Sequence, residues 1–270
     1  MLLAAAGTGL PPGGPAPVGF YQAARGTRFY VTKVGAGPPL IYLHGAMQVA
    51  EDAARLATFL SASHTVYVPE RRGVGRTADR AGDWTYVDMA ADMAALMDAL
   101  GVASAPVIGL SDGAIIGLIL AGQRPDLVSR LLATGANTNP EGLGDFLSVV
   151  RSATPEQLLA GAPPQVQRFA AIQRQVSPDR GAALIASVGK MQRMWLNFEI
   201  PQAALGRIKA PTLVAAADGD TIPVEHTAGI WRAIPGAQLM IVPGADHFWI
   251  TDTPEREADV LAGFFGIARR

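Results

Sequence analysis

Cysteine is absent from the 270-residue sequence, and charged residues make up only 17% of it. Without cysteine there can be no disulfide, no thiolate metal ligand and no cysteine nucleophile. Lysine and arginine together number 22 against 23 aspartates and glutamates, so the formal net charge is −1. A chain without excess positive charge has no field to hold a polyanion, and we expect no nucleic acid among its partners.

Long apolar runs are also missing. The longest, residues 113–122, is far shorter than the roughly 20 residues that a membrane-spanning helix needs, and we expect no membrane span. Residues 1–18 begin with a short apolar segment but contain no basic region and no clear cleavage site. We expect a flexible N-terminal tail and a cytoplasmic protein, with export as the alternative.

Hydrophobic residues account for 49% of the sequence, and short strand-like and helix-like segments alternate along it. Such alternation predicts an α/β fold, with a mostly parallel sheet covered by helices on both faces. The predicted strands are residues 28–34, 40–43, 65–68, 106–110, 129–134, 211–217 and 238–242; the predicted helices are residues 51–60, 85–100, 112–122, 225–234 and a last one opened by Thr253.

The alternation stops between residues 137 and 208, where the sequence is helix-like and interrupted by proline. We interpret this segment as a helical cap inserted into the fold. The predicted organisation is therefore a tail (residues 1–18), a core (residues 19–136 and 209–270) and a cap (residues 137–208).

Residues 109–113 read Gly-Leu-Ser-Asp-Gly and match G-x-S-x-G between a predicted strand and a predicted helix. A serine at such a sharp turn needs glycine two positions to either side, because a Cβ there would collide with the adjacent strand and helix. The turn presents the Ser111 hydroxyl outward, which makes it a candidate nucleophile. An ordinary glycine-flanked turn is the alternative.

A serine nucleophile needs a base, and the sequence has four histidines. His44 and His64 lie at the ends of predicted strands, and His226 lies at the start of a predicted surface helix, so each has a structural explanation. His247 follows the last predicted strand. Loops after parallel strands meet at one edge of the sheet, so His247 can reach Ser111.

The third member of a triad accepts the imidazole N–H and stabilises the imidazolium. Asp218 and Asp220 both follow the predicted strand 211–217 and lie between the serine and the histidine in the sequence. The order Ser, Asp, His is the one seen in a single sheet architecture. Either carboxylate could serve on this reasoning alone.

Several segments together resemble the α/β-hydrolase superfamily over nearly the whole chain from about residue 19. They are LIYLHGA (residues 40–46), PERRGVGRT (residues 69–77), GLSDGA (residues 109–114) and PGADHF (residues 243–248). Glu70 and Thr77 stand where the family has Asp and Ser, and Ala217 stands where it has Gly. The resemblance matches Asp220, rather than Asp218, to the catalytic acid.

The resemblance implies an oxyanion hole built from the backbone N–H groups of Ala46 and Asp112, with Met47 as the alternative to Ala46. It also implies that the cap sets specificity. Aromatic and apolar side chains of the cap are either substrate contacts or the cap's own core; among the candidates we select Trp195, together with Met47 and with Phe248 beside the histidine. The other cap candidates are Phe146, Phe169, Met191, Met194 and Phe198.

From these residues we expect a serine hydrolase that cleaves a small, mainly apolar carboxylic ester or lactone through an acyl-enzyme, with no metal and no organic cofactor. The alternatives on the same fold are a C–C bond hydrolase, an aminoacyl-ester hydrolase or imino-peptidase, and a cofactor-free perhydrolase. GLSDG resembles aminoacyl-ester hydrolases related to biphenyl-hydrolase-like enzymes, where Asp112 would bind an amine; a helix N-terminus explains the same residue.

The sequence also bears on two classes outside these hydrolases. A nucleotide-binding reductase lacks support because no G-x-G-x-x-G follows a predicted strand. A non-catalytic hydrolase-like receptor usually loses part of the triad, whereas all three residue types are present here.

Overall fold

A computed structural model describes residues 17–266. Residues 1–16 of the predicted tail lie outside the described part, and Val18 already belongs to the first strand. The strands are β1 (Val18–Ala24), β2 (Thr27–Val34), β3 (Pro39–Leu43), β4 (Thr65–Pro69), β5 (Ala105–Leu110), β6 (Val128–Thr134), β7 (Thr212–Ala217) and β8 (Gln238–Val242).

These strands form one sheet in the order β1-β2-β4-β3-β5-β6-β7-β8. Neighbouring strands from β4 to β8 in this order pair in parallel. At the other edge, β1 pairs antiparallel with β2, and β2 pairs antiparallel with β4. The predicted mostly parallel α/β sheet is confirmed. The strand β1 was not predicted, because its residues are exposed or half-buried along its length and show no apolar run.

Helices cover both faces. They are α1 (Ala54–Leu60), α2 (Tyr86–Ala99), α3 (Asp112–Gln123), α4 (Phe146–Ser152), α5 (Pro155–Ala160), α6 (Pro164–Val176), α7 (Leu184–Leu196), α8 (Gln202–Leu205), α9 (Val224–Ala233), α10 (Trp249–Asp252) and α11 (Ala258–Phe265). On β3, Ile41 and Leu43 join one core with α2 and α3, while Leu40 and Tyr42 join the other with α1 and α11. This is the alternation that a buried strand requires.

The helix α2 shows how local sequence determines these elements. Thr85 accepts a hydrogen bond from the Asp88 N–H at 3.0 Å, which caps the first turn. Met93, Leu96 and Met97, which the helical spacing places on one face, are buried. The predicted helix and its start are therefore both observed.

The segment between β6 and β7 contains α4 to α8. It contacts the loop after β4 through two ion pairs of α7, Lys190 with Asp79 at 2.6 Å and Arg193 with Asp83 at 2.7 Å. We call residues 137–208 the insertion.

Candidate active site

Ser111 lies at the turn between β5 and α3 and has φ 53° and ψ −121°. A Cβ added to Gly113 would be 2.0 Å from the Leu43 carbonyl oxygen, and one added to Gly109 would be 2.4 Å from the Gly113 carbonyl oxygen. Real Cβ atoms do not approach backbone so closely, which explains both glycines of the motif. A positive φ at a non-glycine residue is strained backbone of the kind found at functional sites.

His247 and Asp220 form a hydrogen bond of 2.6 Å between the imidazole Nδ1 and the carboxylate Oδ1. The Asp220 side chain is 0% exposed, and the same oxygen accepts the Ile222 N–H at 2.9 Å. Asp218 is exposed instead, and its Oδ1 accepts the Ala245 N–H at 3.3 Å. The structure thus brings Asp220, and not Asp218, against the histidine.

The other three histidines make structural contacts. The His44 Nε2 accepts the Arg71 N–H at 3.1 Å, and burial lowers the pKa of this imidazole to about 3, so it is neutral. Burial also lowers the pKa of both His64 and His226. His226 accepts the Thr138 N–H at 3.0 Å and so connects α9 to the start of the insertion.

Ser111 and His247 line one cavity of about 410 Å³. Ala46, Met47, Asp112, Trp195 and Phe248 also line it. The rest of the lining is mainly apolar and includes Leu143, Phe146, Leu158, Val166, Met191 and Ile222. The insertion therefore supplies much of the wall in front of the serine.

The turn after β3 lies beside the serine: a Cβ added to Gly45 would be 3.4 Å from the Ser111 Cβ. The Gln48 side chain shapes this turn by accepting the Gly45 N–H at 2.9 Å. Within residues 17–266 no protein acceptor contacts the Ala46 N–H. The Asp112 N–H begins α3, where the first amides have no partner inside the helix. Both amides can therefore donate to an oxyanion.

The Asp112 carboxylate is buried and accepts hydrogen bonds from three protein donors. Its Oδ2 accepts from the Arg71 guanidinium at 2.7 Å, and its Oδ1 accepts from the Tyr86 hydroxyl at 2.7 Å and the Trp195 indole at 2.9 Å. Three protein donors already bind this carboxylate and Arg71 balances its charge, so a substrate ammonium group would gain little there, which argues against the amine-binding alternative.

Two aromatic pairs form parts of the wall. Phe146 packs edge-on to Trp195 with ring centroids 6.1 Å apart, and Phe248 packs edge-on to His247 at 5.1 Å. Phe169 is 1% exposed and packs against Phe248. Of the remaining cap candidates, Met191 lines the cavity, whereas Met194 is buried in the core and Phe198 packs against Tyr86.

Sequence reasoning missed Gly135, Arg71 and Tyr86. Gly135 follows β6 with φ +63°, and a Cβ there would be 2.7 Å from the His247 Cε1 and 3.2 Å from the Asp220 Oδ2. A glycine directly after a predicted strand was the available signal. Arg71 and Tyr86 matter through Asp112, and no spacing in the sequence indicates that contact.

The described part of the chain offers neither a metal site nor a membrane-spanning helix. No group of three or more histidine, aspartate or glutamate side chains could hold a metal ion. No helix between residues 17 and 266 has the length and hydropathy needed to cross a membrane.

Comparison with known proteins gave concordant matches. A sequence model of the alpha/beta hydrolase family matches residues 40–260. The chain is 29% identical over 248 residues to the "Putative carbamate hydrolase" of Azorhizobium caulinodans, covering 86% of this chain and 92% of that protein. It is 25% identical over 252 residues to the sn-1-specific diacylglycerol lipase of Mus musculus, covering 84% and 80%. A meta-cleavage product hydrolase from Pseudomonas fluorescens shares the fold, with a TM-score of 0.75 at 20% identity over 93% of this chain and 99% of that one.

Proposed function

The chain belongs to the α/β-hydrolase family, and from this premise we propose that it is a serine hydrolase acting on a small, mainly apolar carboxylic ester or lactone. The observation that carries the proposal is the 2.6 Å hydrogen bond from His247 to Asp220, next to a cavity that His247 shares with Ser111. A nucleophile, a base and an orienting carboxylate are the parts that acyl transfer needs.

In the proposed mechanism, Ser111 Oγ attacks the ester carbonyl while His247 Nε2 takes the hydroxyl proton. Asp220 holds the Nδ1–H tautomer and stabilises the imidazolium. The N–H groups of Ala46 and Asp112 donate to the oxyanion, and His247 then protonates the leaving alkoxide. A water molecule, deprotonated by His247, hydrolyses the acyl-enzyme and restores Ser111.

The cavity supports an uncharged substrate. Asp112 is the one carboxylate among its lining residues in the described chain, and Arg71 balances its charge. Because the remaining wall is mainly apolar, an apolar acyl or alkyl group gains contact there, whereas a charged group would lose hydration without a partner. We also propose that the insertion, residues 137–208, is the cap that supplies this wall.

The first test is covalent labelling of the serine. A fluorophosphonate probe should modify Ser111, and Ser111→Ala should abolish both the labelling and the turnover of short p-nitrophenyl esters, by at least about a thousandfold. Turnover that survives the substitution would place the chemistry elsewhere. A panel of lactones, anilides and C–C bond substrates, run beside the esters, decides among the reactions that this machinery can perform.

A further inference from the structure

The structure contains a direct connection between the turn that carries the nucleophile and the insertion. The Trp195 indole N–H donates to the Asp112 Oδ1 at 2.9 Å, across 83 positions of the sequence. Asp112 directly follows Ser111 in the chain, and Trp195 lies near the end of α7. Both residues line the cavity. The indole is therefore positioned relative to Ser111 by one hydrogen bond and not by general packing alone.

The Asp112 carboxylate is itself held in place. Arg71 is 3% exposed and Asp112 is 2% exposed, so their ion pair is screened from water. Tyr86, at the start of α2, donates to the same oxygen as Trp195. Charge-assisted hydrogen bonds in a dry environment are the strong ones, and three donors from three elements fix the orientation of this carboxylate.

We propose that Asp112 and Trp195 together determine the size of substrate that reaches Ser111, with Asp112 as the positioning residue and the Trp195 indole as the limiting wall. The inference rests on the proposed function and adds to it which residue restricts the acyl chain. Phe146 supports the indole from the side, at 6.1 Å between ring centroids. The site selects substrates by the length of the acyl chain and not by their charge, because Arg71 already balances the charge of the Asp112 carboxylate.

The contacts of Trp195 favour a rigid wall of the cavity over a mobile lid. A tryptophan has few rotatable bonds, so fixing one end of its ring by a hydrogen bond and one side by an aromatic contact leaves it little freedom. A rigid apolar surface discriminates between acyl chains by steric exclusion, and each methylene that no longer fits costs binding in the transition state. Removing the ring should therefore admit longer chains.

The experiment compares kcat/KM for p-nitrophenyl butyrate and p-nitrophenyl octanoate. In Trp195→Ala the octanoate-to-butyrate ratio should rise about tenfold. In Trp195→Phe, which keeps an aromatic ring but removes the N–H, it should rise by a smaller factor. The matched control is Trp231→Phe, because Trp231 of α9 is also half-buried and donates its indole N–H, at 2.9 Å, to the carbonyl of Ala237, which follows α9. Its ratio should equal that of the wild type.

A second experiment tests whether Asp112 recognises a charged amine on the substrate. Asp112→Asn, assayed on the p-nitrophenyl esters of alanine and of propionic acid, should lower kcat/KM by the same factor on both. A loss confined to the alanine ester would show that Asp112 binds an amine and would overturn the inference.

The outcomes separate this inference from the proposed function. If Ser111→Ala is inactive but neither Trp195 variant changes the chain-length ratio, the serine chemistry stands and the limiting role of Trp195 is wrong. If Trp195→Ala does not fold, Trp195→Phe decides in the same way. If Ser111→Ala retains turnover, the proposed function itself fails, whatever the Trp195 variants show.

Discussion

Asp218 and Asp220 are two positions apart in one turn after β7, yet they have different surroundings. Asp220 is buried against His247, whereas Asp218 is exposed and accepts backbone N–H groups that lower the pKa of its carboxyl. A residue that orients a catalytic imidazole must contact it, and burial strengthens that contact. Replacing each aspartate in turn therefore tests whether contact with His247 matters, because both substitutions lie in the same turn.

Asp220→Asn should lower kcat by a factor on the order of 10⁴, because asparagine would favour the wrong histidine tautomer and would not stabilise the imidazolium. Asp218→Asn keeps an oxygen that can accept the Ala245 N–H, and its kcat should stay within about twofold of the wild type. Steady-state kinetics on a short p-nitrophenyl ester measures both. Equal losses in the two variants would mean that the turn, and not the carboxylate, matters.

The contrast between these residues and Asp112 shows what a sequence can predict. Ser111, Asp220 and His247 each follow a strand, and the topology of a parallel sheet places such residues at one edge. The environment of Asp112 is different, because its three donors come from the loop after β4, from α2 and from α7. These contacts depend on how the loop after β4, α2 and the insertion pack together, which no local pattern encodes.

At the scale of elements, the turn from β5 to α3 depends on close contact between α3 and the end of β3. Gly113→Ala would force the added Cβ, built 2.0 Å from the Leu43 carbonyl oxygen, to separate the two elements. We expect a loss of about 2–3 kcal/mol in the free energy of unfolding, together with a large fall in kcat, because Ser111 and Asp112 would move.

Gly229→Ala in α9 is the control for this substitution. A Cβ at Gly229 would meet nothing within 4 Å, and alanine is the better helix former, so stability should rise by about 0.5–1 kcal/mol. Urea unfolding measures both variants. A Gly113→Ala protein as stable and active as the wild type would contradict the steric explanation of the motif.

The strands that the sequence predicted are those with apolar runs or β-branched residues. The bounds of β2 to β8 agree with the predicted ranges within a residue or two, and the sheet buries much of these strands, although in β8 only Val242 is buried. The strand β1 is the exception. It is exposed or half-buried and gains its place by backbone pairing with β2, an interaction that leaves no signal in the side-chain pattern.

At the scale of the whole molecule, the core and the insertion meet at a group of partly buried charges. Asp52, just before α1, is 2% exposed at its side chain and lies 3.9 Å from Arg168 of α6. Asp252 of α10 accepts from Gln165 of α6 at 2.9 Å. Burial raises the pKa of Asp52 to about 6, and the neighbouring charges of Glu51 and Asp252 contribute in the same direction.

This raised pKa makes stability depend on pH in a defined direction. The pKa of this carboxyl is higher in the folded chain than its ordinary value of 3.8, so folding favours the protonated form. Its contribution to the free energy of unfolding is therefore complete below pH 3.8 and is lost as the pH rises through about 6. A carboxyl pKa raised from 3.8 to about 6 corresponds to about 3 kcal/mol. Asp52 therefore weakens the junction between insertion and core at neutral and alkaline pH.

Asp52→Asn removes this titration while keeping an oxygen that can accept the Val49 N–H, which Asp52 binds at 2.9 Å. The variant should match the wild type in free energy of unfolding below pH 3.8 and exceed it by about 3 kcal/mol well above pH 6. Denaturant unfolding across this range measures the difference. Asp145→Asn, at an exposed aspartate of the insertion, is the control for the loss of one carboxylate. If the difference in free energy of unfolding between Asp52→Asn and the wild type does not change with pH, Asp52 is ionised alike in the folded and unfolded chains, and burial at this junction does not govern its titration.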